Sequence, residues 1–250
     1  FAKANRAQII LIEPEFLGNE LPILEELNYS KTDQSIQPAR TIVVDLRDSL
    51  EEIMQRMKQK TRYNIRLASR KGVIVKQHGI EAIDIFYTLL LETSDRDRFG
   101  IHAKKYYEDL IQQSLELSEF YKTVILIAYF DDQPLAGACI LAFGETAYYL
   151  YGASSSKYKN KMASHLVQFE AMKWAKEQGY KYYDFWGIPD YSESALEDNF
   201  QKRNDGLWGV YRFKRGFGGE VIKYVGMYEK STKIATLIKK IYVLWDSYRR

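Results

Sequence analysis

The order in which the hydrophobic period changes between Val73 and Val225 leaves this chain few folds to choose from. "VIVK" at Val73–Lys76 is strand-like, and helical periodicity follows over Glu81–Thr93 and Lys104–Leu117. Three strand-like runs come next, Thr123–Tyr129, Leu135–Phe143 and Ala147–Tyr151, the first two joined by an Asp131-Asp132 turn. A long helix is expected over Met162–Gln178, with Met162, Leu166, Phe169 and Met172 on one side and Gly179 as its stop. The strand "KYYDFW", a polar segment Pro189–Asn204, a short helix Leu207–Arg215 and a strand Val221–Val225 complete the series. Such an order implies a mixed sheet with helices on both faces. Upstream, Thr41–Leu46 reads as a strand, and Asp48 with Glu51 as the capping start of a helix carrying Leu50, Ile53, Met54 and Met57. Thr61 opens a second helix, which Gly72 ends.

Composition removes several function classes. With 46% hydrophobic and 28% charged residues the chain is an ordinary globular one, and its longest apolar run, "TVILIAYF", is far short of the roughly 20 residues a membrane-spanning helix needs. The lone cysteine, Cys139, lies in apolar "GACILAF", which excludes a disulfide framework and fits a buried core residue in a reducing compartment. His78, His102 and His165 stand at no metal-ligand spacing, so no metal site is expected. Charge is unevenly spread. Eight basic residues and no acidic ones lie between Glu52 and Glu81, and Lys202–Arg250 holds twelve basic against four acidic. Two basic segments fit a polyanionic partner such as nucleic acid, phosphate groups or an anionic membrane face; solvated helix faces explain them equally well. The opening "FAKANRAQII" has neither an initiator methionine nor a cleavage site, so the chain is expected to begin inside a longer protein.

Four segments carry candidate chemistry. "SSKYKNKMASHL", at the start of the long helix, has no glycine, whereas a coenzyme A pyrophosphate loop needs glycines so that backbone amides approach phosphate. In "YYLYGASSS", strict alternation would place Tyr149 and Tyr151 on one face, pointing to a cleft or packing as sheet aromatics. In "TSDRDRFG", Arg96 and Arg98 occupy a loop-like stretch where a guanidinium could grip carboxylate or phosphate. "GVYRFKRGFGGE" sets Tyr211, Arg212, Phe213 and Lys214 before Gly216, Gly218 and Gly219. Glycines there end a helix; aromatics beside cations also suit a single-stranded nucleotide end.

The element order is that of the GNAT acyltransferase fold, an α/β (α+β) class. The segments "TIVVDLRDSLEEIMQRMKQKTRYNIRLASRKGV", "YYLYGASSSKYKNKMASHLVQFEAMKWAKEQGYKYYDFWGI" and "LWGVYRFKRGFGGE" together resemble the signature segments of the Fem family, peptidoglycan bridge-forming aminoacyltransferases. The resemblance implies two GNAT-like domains: residues 1–60 as the remainder of the first, 61–226 as the second, and 227–250 as a helix returning to the first. It implies transfer of an amino acid from aminoacyl-tRNA, as co-substrate and without a cofactor, to an amine of a lipid-linked or UDP-linked peptidoglycan precursor. The implied setting is the cytoplasm, peripheral at the inner membrane face. Carried over, Lys214 would be a cation stabilising charge at the reacting ester, Phe213 would pack the tRNA end, and Arg98, Tyr149, Tyr151 and Arg212 would bind substrate. The terminal stripe Ile234, Leu237, Ile238, Ile241 and Trp245 would dock on a core or lie on a membrane surface. Two other readings stay open: a coenzyme A-dependent N-acyltransferase, and a noncatalytic RNA- or membrane-binding protein.

Overall fold

The computed structural model describes residues 7–15, 17, 21–32 and 35–232. In chain order its elements begin β1 (Ile9–Ile12), α1 (Leu21–Glu26), β2 (Ser30–Lys31), β3 (Arg40–Asp45), α2 (Leu50–Arg56), α3 (Gln59–Arg70), β4 (Ile74–His78), α4 (Ile83–Asp97) and α5 (Lys104–Glu116). They continue β5 (Tyr121–Phe130), β6 (Gln133–Phe143), β7 (Thr146–Ser154), α6 (Ala163–Glu177), β8 (Tyr182–Asp184), α7 (Glu193–Asn199), α8 (Trp208–Lys214), β9 (Glu220–Lys223) and β10 (Tyr228–Ser231). Two compact units result: the described residues up to Arg40 with those from Ile222, and Thr41–Val221.

The smaller unit is a three-stranded antiparallel sheet in the order β1-β10-β2, with Leu24, Val225 and Tyr228 as its buried cluster. The larger unit is built on the sheet β4-β5-β6-β7-β8-β3-β9, and its order of elements is GNAT-like. Its first four strands are antiparallel neighbours, β7 and β8 run parallel, and β3 returns antiparallel to β8. The domain boundary therefore falls at Arg40/Thr41 and not near residue 60, because β3 pairs with β8, Val43 opposite Asp184. Residues 228–231, expected within a terminal helix, form strand β10; the rest of that segment, including the stripe from Ile234 to Trp245, lies outside the described residues.

Helices cover both faces of the large sheet, and the strands show it. Val124, Leu126, Ala128, Ala138 and Ile140 face a core shared with α2, α3 and α6, whereas Ile125, Ile127 and Cys139 face Phe86 and Leu90 of α4 and Tyr107 and Ile111 of α5. Strands buried on both sides read as continuous apolar runs, which is why "TVILIAYF" does not alternate. Burial pushes the Cys139 thiol up to about 12, leaving it a core side chain.

Local signals are offset by small amounts. The cap of α2 is Ser49: its hydroxyl accepts from Glu52 N while the Glu52 carboxylate accepts from Ser49 N at 2.9 Å. Asp48, the expected cap, instead forms an ion pair with Arg56. The polar segment after β8 contains a short helix, α7, capped by Ser192 and anchored by buried Leu196. Beyond α8 a single 3-10 turn, Arg215–Phe217, ends at Gly218, whose φ of 79° is left-handed. A Cβ there would lie 2.5 Å from the Arg56 carbonyl oxygen, so the position excludes side chains twice over. Gly218→Ala is expected to cost about 2 kcal/mol or more, seen as a lower urea midpoint at unchanged slope.

Candidate active-site cleft

The parallel pairing of β7 with β8 covers only Thr146–Tyr148 against Tyr182–Asp184. Beyond it the two backbones separate, and the C-terminal half of β7 borders a cleft of 290 Å³ lined from α4, β6, β7, α6 and α8. The end of β7 stays paired with β6 on one edge, and the edge that β8 leaves is held by side chains. Ser154 N donates to Thr93 Oγ1 at 2.8 Å, and Arg96 Nη1 donates to Ser154 O at 2.7 Å. Arg96 also forms a two-pronged pair with Asp97, at 2.9 and 2.8 Å.

Lys214 ends α8 with its side chain inside the cleft, only 6% exposed. Its Nζ donates to Gly187 O at 2.8 Å and Trp186 O at 3.2 Å, and stands 5.7 Å from the centre of the Tyr149 ring. Burial drives its pKa from 10.5 down to about 7, with Asp184 opposing the shift. The expected cation is thus a buried group close to half-neutral at physiological pH. Both acceptor carbonyls come from the turn after β8, where Trp186 has a φ of 61°. A left-handed tryptophan is strained, and here the strain aims two carbonyls at one amine. Trp186 N in turn donates to Asp184 Oδ1 at 2.6 Å, tying the turn to the buried carboxylate.

Tyr149 and Tyr151 do not share a face. Cys139 stands opposite Tyr151 and Ile140 opposite Tyr149, so Leu150 is an extra residue, a β-bulge that inverts the alternation. Tyr149 faces the cleft, its ring edge-on to Phe185, its hydroxyl hydrogen-bonded by Gln168 and pushed up to about 12 by burial. That hydroxyl lies over Gly152, where any Cβ would overlap it. Tyr151 points to the opposite side, its hydroxyl 3.0 Å from that of Tyr106 and its ring edge-on to Tyr107 at 5.0 Å.

The cleft therefore gathers Lys214, Phe213 and Tyr149 of the expected residues and leaves out Tyr151, Arg98 and Arg212. Phe213 packs edge-on against His165 and Phe217 at 5.1 and 5.2 Å. His165 is pushed down to about 4 by burial and by Lys60, and is neutral; Asn64 Nδ2 donates to its Nε2 at 3.2 Å. Arg98 is exposed at the left-handed cap of α4, φ 56°. Arg96, two residues earlier, belongs to the last helical turn and reaches the cleft in its place. Arg212 lies on the outer side of α8, donating to Phe200 O at 2.9 Å and Arg203 O at 3.0 Å, where it holds the chain after α7. Gln168 and Trp186 carried no sequence signal: a buried glutamine and a left-handed tryptophan are legible only in three dimensions.

Chemically, the lining offers one amine of tunable charge, a phenol, the Gln168 amide, an ion pair and three hydroxyls, Thr93, Ser154 and Ser164, and includes no histidine or thiol. That set can align and exchange protons. It does not form a nucleophile-base pair for covalent catalysis.

Known proteins resemble this chain in sequence and in fold. A sequence model described as the FemAB family matches residues 24–131 and 122–240. A lipid II:glycine glycyltransferase of Staphylococcus haemolyticus is 25% identical over 300 residues, covering 91% of this chain and 70% of that protein. One from Staphylococcus aureus is 23% identical over 302 residues, covering 91% and 70%. Among solved structures, that of FemX superposes with a TM-score of 0.79 at 19% identity, covering 94% of this chain and 75% of that one.

The buried lysine makes stability pH-dependent with a definite sign. Between the native value of about 7 and the ordinary 10.5, the unfolded chain holds a proton that the folded one lacks, so stability rises with pH across that window and is flat for this group below it. The expected slope is about 1.4 kcal/mol per pH unit. Chemical denaturation at pH 7 and pH 9 should show it in the wild type and lose it in Lys214→Met.

Proposed function

Because this chain belongs to the FemAB family, we propose that it moves an amino acid from the ester of an aminoacyl-tRNA to an amine on the stem peptide of a lipid-linked peptidoglycan precursor. The observation that carries this reading is the cleft with a buried lysine, its pKa pushed down by desolvation, and no paired nucleophile. An aminoacyl ester is already activated, so alignment and proton transfer suffice. The relatives named lipid II:glycine glycyltransferase support the acceptor class and the cell-wall setting. A coenzyme A donor is disfavoured by the start of α6, where Tyr158 and Met162 take the left-handed conformations and no glycine opens the backbone.

In the proposed mechanism the acceptor amine attacks the ester carbonyl carbon and a C–N bond forms. Two of the three non-carbon positions on Lys214 Nζ are committed to Gly187 O and Trp186 O, leaving the third for a group in the cleft. Through that position Nζ takes the proton released by the amine. The resulting ammonium stabilises the tetrahedral oxyanion. As the ester C–O bond breaks, the same proton passes to the leaving tRNA oxygen, and the lysine returns to its starting state. Tyr149 and Phe213 shape the wall beside the reacting atoms.

Incubating the complete protein with a panel of charged tRNAs and with lipid-linked and UDP-linked precursors should yield transfer from at least one pair; none from any pair would remove the reading. Lys214→Met is expected to lower kcat by about 10²-fold or more. The acid limb of the wild-type profile near pH 7 should be absent from the residual activity. Gly152→Ala, which displaces the Tyr149 hydroxyl, should lower kcat while the fold, followed by circular dichroism, persists.

A further inference from the structure

A second depression, of 780 Å³, lies between α2, α3 and α6, outside the cleft. Arg62, Arg66 and Arg70 line it at four-residue spacing, which sets one cation about every 6 Å along a single helix face. Arg62 is braced by donating to the carbonyls of Gln55 and Met57. Arg66 reaches Met54 Sδ at 3.9 Å, and the Arg70 guanidinium lies 6.0 Å from the centre of the Tyr63 ring, which is 55% exposed. The carboxylate in the lining, Glu170, has Lys173 at 3.6 Å, and α3 itself contains no acid. At the far end of α3, Lys71 Nζ donates to Asn160 O at 2.8 Å and Lys161 Nζ to Lys71 O at 3.0 Å, which adds two more cations at that end.

Groove and cleft flank one helix. Leu166, Phe169 and Glu170 of α6 face the groove; Ser164, Val167 and Gln168 face the cleft. The separation is about one helix diameter, 10–12 Å.

We propose that this groove docks the phosphate backbone of the donor RNA, with Arg66 and Arg70 on successive phosphates and Tyr63 as a stacking surface for an unpaired base. The inference rests on the RNA-donor reading given above, and it names where that partner is held. A row of cations at regular steps with an aromatic face beside it suits a nucleic-acid strand. A bilayer is a poorer fit, because the apolar residues of the groove, Ile65 and Leu166 among them, are buried at its floor where a flat surface does not reach.

The test is the affinity of the complete protein for uncharged tRNA across a salt series, wild type against Arg66→Ala/Arg70→Ala, with phosphatidylglycerol vesicles as a second probe. Expected is an affinity at least about tenfold weaker and a log–log salt slope shallower by about 2, one for each phosphate contact removed. The KM for charged tRNA should rise while that for the stem-peptide acceptor stays put. Should the double variant unfold, Arg66→Gln/Arg70→Gln with Tyr63→Leu provides the same comparison. Unchanged tRNA affinity overturns the inference, whether or not transfer is seen. Loss of vesicle binding with tRNA affinity intact also overturns it, making the groove a membrane face. A wild type that transfers nothing, yet loses tRNA affinity on substitution, removes the donor reading and leaves the docking groove standing.

Discussion

Three residue pairs join β7 to β8, and the site exists because there are no more. A sheet that continued its pairing would satisfy the backbone of β7 with a neighbouring strand and fill the gap with a side-chain layer. Here the strands part after Tyr148 and Asp184, so the far half of β7, paired with β6 on one edge, needs other partners on the edge that β8 leaves. Thr93 and Arg96 of α4 supply them at Ser154. The same parting lets α8 bring Lys214 between the diverging strands, to the carbonyls of the turn that follows β8.

A buried amine is costly unless it is neutral or well paired. Lys214 has both remedies in part: two carbonyl acceptors, and a pKa near 7 that lets it shed its charge. The acceptors depend on Trp186 holding a left-handed backbone, and that depends on Asp184, itself fully buried and fixed by Thr41 of β3. Strain at one residue, a buried carboxylate and a buried lysine therefore form a single unit.

Much of the scaffold was legible because its signals are local. Long apolar runs marked β5 and β6, and helical stripes marked α4, α5 and α6 within a few residues of their true ends. The site was less so, for reasons visible at particular residues. Alternation put Tyr149 with Tyr151, but one extra residue at Leu150 inverts the faces, and nothing in "YYLYG" distinguishes a bulge from a straight strand. Arg98 looked like the loop cation because the end of α4 was placed too early; one further turn of helix delivers Arg96 instead. Arg212, adjacent to Phe213, lies about 100° around α8 and serves the outer surface.

By itself, then, the sequence determined the order of strands and helices from β3 to β9 apart from α7, and the family, and it nominated Lys214 and Phe213, since periodicity and motif are properties of neighbouring residues. Only the tertiary structure decided which face each tyrosine takes, which arginine reaches the cleft, and that Lys214 is a buried amine whose pKa is pushed down instead of an exposed cation. Those outcomes depend on burial and on partners as distant in the chain as Thr41, Asp184 and Ser154, and desolvation has no value until the chain has closed around the group.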